Sequence, residues 1–247
     1  MRSILFVVAL LFAYSASAKQ TLNMVVGFHK PPYVFEKQNR GYELELLQAA
    51  ANELDYDLEF IFVPFGRSAK MFDKTDVDGI LTVNPSLIKD TEKLTMPYIT
   101  YRNVAISFNA KQLAINTVTD LKHHTIAAFQ NSQKILGSDY AQATTNARYF
   151  TEVPDQGRQV QLLLNGKVNV LVMDINIFKH FLKVLSSRSI TDFKIHRIFP
   201  PTDYSLALRK AAQREAFNQI FRELKSKPFY ADLQAKYDVS EQKLASN

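Results

Sequence analysis

The residues of this chain best placed to do chemistry are those that close its apolar runs. Asp174 follows Val170-Leu171-Val172-Met173 and so stands at the carboxyl end of a buried strand. From there it can face a crevice as a charged group, or cap the helix that begins at Ile175. Arg67, in Phe65-Gly66-Arg67-Ser68, opens a short helix; its planar fork suits a carboxylate, and a surface ion pair is the plain alternative. Tyr33 follows two prolines in a stiff loop, where a ring can lie over an apolar or cationic group. Tyr98 and Phe129 share that prospect, with the core as the competing place for both. Asn84, after the run that ends at Val83, offers a donor and an acceptor, or simply makes a turn with Pro85.

Assembled catalytic or metal motifs are missing. The five histidines, His29, His123, His124, His180 and His196, show no metal-ligand spacing. There is no cysteine nucleophile and no G-x-S-x-G, and with seven glycines the chain has no phosphate-cradling loop. No enzyme, no cofactor and no metal is expected. The formal charge is +6, but the basic residues are scattered, so nucleic acid is not an expected partner.

The chain opens with Arg2, an apolar stretch over residues 4–13, and Ala16-Ser17-Ala18 before Lys19. This is the pattern of a cleavable secretory signal, with cleavage expected after Ala18. The apolar stretch is shorter than the roughly 20 residues a membrane-spanning helix needs. With no cysteine to carry a lipid or a disulfide, a freely diffusing, exported monomer is expected.

The elements that must position the singled-out residues alternate. Residues 22–27 read as a strand and 42–54 as a helix, with Leu44, Leu47, Ala51 and Leu54 at helical spacing. A strand at 58–63, a short helix at 67–74 and a strand at 77–83 follow. After a polar stretch at 109–119 the rhythm restarts, with strands at 125–129, 147–153, 170–173 and 193–199 and helices at 134–143, 156–164 and 175–185. A strand at 204–208 and helices at 211–224 and 229–237 close the chain. Such alternation predicts an α/β protein whose sheets are mainly parallel and flanked by helices. The grouping predicts two lobes. Residues 1–18 form the signal, residues 19–107 and 202–247 the first lobe, and residues 108–201 a second lobe inserted into it. Two crossing segments, near Ser107-Phe108 and Phe199-Pro200-Pro201, would form a hinge beside a ligand cleft. One continuous sheet is the alternative.

Several stretches carry a family pattern in order along the chain. These are Pro31-Pro32-Tyr33, Gly41-Tyr42-Glu43-Leu44, Val77-Asp78-Gly79-Ile80, Thr95-Met96-Pro97-Tyr98, and the segment from Leu164-Asn165-Gly166 to Asp174. The chain thereby resembles the bacterial extracellular solute-binding proteins of family 3, the periplasmic amino-acid-binding type, over nearly all of residues 19–247. The resemblance implies the two-lobed type II periplasmic-binding fold and the capture of a small polar ligand, an amino acid or a related compound, by lobe closure. It implies a periplasmic protein that serves an ABC-type permease; a sensor for a membrane signalling partner, or a dehydratase-like enzyme on the same fold, are the alternatives.

The resemblance also implies site residues, and here the chain departs from the pattern. The family's carboxylate-gripping arginine falls between Ile88 and Asp90, where only the base Lys89 stands, and a lysine binds as a point charge. Arg67 is the candidate replacement. The anion loop after the inserted lobe's first strand reads Phe129-Gln130-Asn131-Ser132-Gln133, leaving Ser132 and backbone amides to serve it. Asp174 stands where the family pairs an acid with the ligand's ammonium.

Overall fold

In the computed structural model residues 19–239 are described; the expected signal sequence at 1–18 lies outside them. The first half of the chain lays down β1 (Gln20–Gly27), α1 (Tyr42–Glu53), β2 (Tyr56–Val63), α2 (Phe65–Lys74), β3 (Gly79–Val83) and β4 (Ile99–Tyr101). Then come β5 (Asn103–Phe108), β6 (Thr125–Phe129), α3 (Ser132–Ile135), α4 (Ser138–Thr145), β7 (Tyr149–Val153) and α5 (Gln156–Leu164). The chain continues through β8 (Val170–Asp174), α6 (Ile175–Leu185) and β9 (Phe193–His196), and returns through β10 (Thr202–Leu208), α7 (Ala211–Ser226) and α8 (Pro228–Tyr237).

Two five-stranded sheets result, with strand orders β2-β1-β3-β10-β4 and β7-β6-β8-β5-β9. In each, the strands that open the βα units pair in parallel, and one strand beside the crossings, β10 in the first sheet and β5 in the second, runs antiparallel to its two neighbours. The sheets are therefore mixed but mainly parallel, as expected: β10 alone opposes the other four strands of the first sheet, and β5 alone those of the second.

The first crossing is at Arg102, ahead of the expected Ser107-Phe108, because β5 hydrogen-bonds to β8 and β9 and so belongs to the second sheet. The chain returns to the first sheet between β9 and β10. Asn103 Nδ2 donates to Thr202 Oγ1 at 3.1 Å and ties the two crossings together. The helix expected at 134–143 is two helices, broken at Gly137, whose φ of +93° is open to glycine and strained for other residues.

One contact sets the geometry below. The first amides of α1 are satisfied by a preceding loop: Tyr42 N donates to Pro32 O at 3.0 Å and Glu43 N to Tyr33 O at 3.1 Å. Gly41 makes this approach possible, since a Cβ there would lie 2.2 Å from Tyr33 O, and its φ is +140°. Gly41→Ala is expected to cost about 3 kcal/mol or more through this backbone clash. Denaturant unfolding checks it, and a loss under about 1 kcal/mol would mean that the loop moves aside freely.

Candidate functional site

Between the lobes lies a narrow cleft, about 490 Å³ with the open solvent at its mouth included, of which about 30 Å³ is room for a water-sized group. The first lobe contributes Phe28, Lys30, Phe65 and Thr82; the crossing strands contribute Tyr101, Asn103 and Tyr204; the second lobe contributes Phe129, Gln130, Pro154, Gln156, Asp174 and Ile177. Most of these follow or end a strand at its carboxyl edge, the position at which α/β sheets bind ligands. The lobes touch across the cleft. Gly66 N, in the first turn of α2, donates to Gln130 Oε1 at 3.0 Å, and Tyr33 OH donates to Asp174 Oδ1 at 3.2 Å.

The first-lobe wall rests on a buried charge network. Lys30 Nζ lies 2.7 Å from Glu43 Oε2, and the two residues are 4% and 0% exposed. The same ammonium donates to Thr82 Oγ1 and to Tyr101 OH. Glu43 in turn accepts from the hydroxyls of Thr82, Tyr98 and Tyr101. Burial lowers the Lys30 pKa, and the Glu43 carboxylate opposes that shift. Thr82 is held at φ +57°, uncommon for a β-branched residue, by its hydroxyl contacts and by its own amide, which donates to Tyr98 OH. Lys30 is thus a structural cation, its three protons all engaged before any ligand arrives.

The second-lobe wall centres on Asp174, 2% exposed. Its Oδ1 accepts from Asn176 N at 2.9 Å and Ile177 N at 3.1 Å, capping α6, and its Oδ2 accepts from Arg102 N at 2.7 Å. The capping role and the place in the cleft wall are therefore both realised in one side chain. Burial raises its pKa to about 6, even though the three backbone amides and Tyr33 OH all favour the ionised form. Desolvation wins because those donors are neutral and the cation of the cleft lining, Lys30, is already paired with Glu43.

Just beyond the cleft-lining Gln130, the amides at the start of α3 converge on a carboxylate of the chain itself. Glu152 Oε2 accepts from Asn131 N at 2.8 Å, and its Oε1 accepts from Ser132 Oγ at 2.8 Å and Gln133 N at 3.3 Å.

Of the residues singled out from sequence, Phe129 and Asp174 line the cleft. Tyr33 and Tyr98 are buried behind it, Tyr33 stacked on Tyr101 at 4.1 Å and Tyr98 on Phe221 at 5.2 Å. Ser132 is buried on Glu152, and Asn84 Oδ1 accepts from Ser86 N in the turn that its Pro85 neighbour suggests. Arg67 and Lys89 are exposed and outside the cleft lining. Lys30, Tyr101, Phe28 and Phe65 were not singled out. The rule that found Asp174, looking just past the end of each strand, also finds Phe28 and Phe65. Lys30 is legible only together with Glu43, which the fold brings to it. Among the described residues no group of three or more acidic or histidine side chains is placed to hold a metal.

Residues 22–240 match the bacterial extracellular solute-binding proteins, family 3. Among curated proteins no sequence matches. Similar solved structures include the substrate-binding protein of an amino acid ABC transporter, 19% identical with a TM-score of 0.66, covering 88% of this chain and 98% of that one. An ancestral amino-acid-binding protein, a precursor of cyclohexadienyl dehydratase, is 17% identical with a TM-score of 0.70, covering 88% and 95%. A histidine kinase sensor domain with similarity to periplasmic binding proteins is 16% identical with a TM-score of 0.72, covering 89% and 96%. At these identities the likeness is one of fold.

Proposed function

Because the chain belongs to the bacterial extracellular solute-binding proteins of family 3, we propose that it is a periplasmic receptor that captures a small polar solute by lobe closure. The observation that carries this reading is the cleft itself, walled by both lobes and both crossing strands. A ligand there touches both lobes at once, and only such a ligand shifts the balance toward the closed arrangement. The chain then presents the closed form to a membrane partner, an ABC-type permease. A sensor protein is the second reading, favoured by the likeness to a histidine kinase sensor domain. Neighbouring genes for a permease and an ATPase support the first, and a neighbouring kinase or cyclase the second. No turnover is part of this reading: the cleft's ionisable groups, Lys30 and Asp174, are tied into the protein's own hydrogen bonds.

A thermal-shift screen against amino acids, amines and small carboxylates tests the reading. A ligand specific for the folded state at a hundred times its Kd adds about 2.7 kcal/mol and raises the melting temperature. No shift from any of these compounds would defeat it.

A further inference from the structure

The charge balance of the cleft points to a ligand class. Two features here are suited to receiving an anion, and both are already committed. Lys30, the cleft's one cation among the described residues, is paired with Glu43 at 2.7 Å. The convergent donors at Asn131, Ser132 and Gln133, next to the cleft-lining Gln130, are filled by Glu152. Neither Glu152 nor Asp174 has an ion-pair partner among the described residues, so each is a carboxylate held by neutral donors alone. The cleft lining with Glu43 therefore carries one uncompensated negative charge, on Asp174. Around it stand Phe28, Phe65, Phe129 and Tyr204, rings whose faces attract a cation, while Tyr101 is already stacked on Tyr33 and lies under Lys30.

We propose that the cleft selects an organic cation without a carboxylate, an amine with an apolar or aromatic body, over the amino acid that corresponds to it. This rests on the solute-binding reading above and names its ligand. An ammonium beside Asp174 supplies the missing positive charge. A carboxylate on the same ligand finds its cation and its amide cradle taken by Glu43 and Glu152, and is desolvated without a partner. The raised pKa of Asp174 agrees with a site one cation short.

The test titrates the purified protein calorimetrically with matched pairs: 2-phenylethylamine and phenylalanine, tyramine and tyrosine, agmatine and arginine, with 3-phenylpropionate as a carboxylate alone. The amine of at least one pair is expected to bind about tenfold or more tighter than its amino acid, the size of one unpaired polar group. Glu152→Gln, which removes the internal anion, is expected to narrow that gap by strengthening the amino acid while leaving the amine within about twofold, an effect confined to the carboxylate. An amino acid that binds as tightly as its amine, or a 3-phenylpropionate that binds while the amines do not, overturns this inference and leaves the solute-binding reading standing. No binding from any of these seven compounds overturns this inference, and the solute-binding reading falls only with the broader screen above. The matched pairs decide on the parent protein, so they stand even where Glu152→Gln fails to fold.

Discussion

Lys30→Met is expected to lower the melting temperature by about 10 °C, from a loss of about 3–5 kcal/mol. The reason is not the value of the Lys30–Glu43 pair itself, since burying two charges costs much of what their attraction returns. It is that the substitution leaves Glu43, 0% exposed, as a buried carboxylate with only the hydroxyls of Thr82, Tyr98 and Tyr101 around it. The double variant Lys30→Met/Glu43→Leu removes both charges and is expected to recover more than half of the loss. Calorimetric unfolding of the three proteins makes the comparison. A single variant within about 2 °C of the parent would show that the pair is not the buried network described.

Asp174→Ala is expected to weaken ligand binding by about a hundredfold or more, the effect of removing one partner of a buried charge contact. It also removes the α6 cap and the partner of Arg102 N, so a stability loss of about 1–2 kcal/mol accompanies it. Asp174→Asn separates the roles in part: its one carbonyl oxygen can keep the α6 cap while its Nδ2 faces Arg102 N, and the charge is discarded. The pH dependence follows from the carboxyl's pKa of about 6, above the ordinary 3.8. Since folding raises this pKa, the ionised carboxylate disfavours the folded state above pH 6, and that cost is relieved as pH falls from about 6 toward 3.8. Binding of a cation runs the other way, because it needs the ionised form. Affinity is expected to be level above about pH 6 and to fall by up to about tenfold per unit below it. Titrations across pH 5–8 on the parent and on Asp174→Asn check this. A parent profile as flat as that of the asparagine variant would remove Asp174 from the site.

The lobes and the βα order were legible because they are written in local pattern: an apolar strand stopped by Pro64, and a Leu44/Leu47/Ala51 stripe that α1 buries, although the strand expected over 193–199 ends at His196, ahead of Pro200. The position of the first crossing was not. The run at 103–108 is apolar on either side of the hinge, and only its pairing with β8 and β9 assigns it to a lobe. Asp174 and Phe129 were legible as strand ends. The rest of the site was hidden for a common reason, that its chemistry lies in pairs distant along the chain. Lys30 reads as a surface base until Glu43 and Thr82 close on it, and the donors after β6 read as an open anion loop until Glu152 fills them. Arg67, attractive for its fork, stands on the exposed side of α2.

Lobe closure on a ligand is the central claim, and a distance between the lobes tests it most directly. The chain has no cysteine, so Lys70→Cys on α2 and Lys134→Cys on α3, both exposed, would carry the only two spin labels. A compound that raises the melting temperature is predicted to draw the distance distribution into a single short population, matching the arrangement in which Gly66 meets Gln130. A distribution unchanged by that same compound would contradict the account.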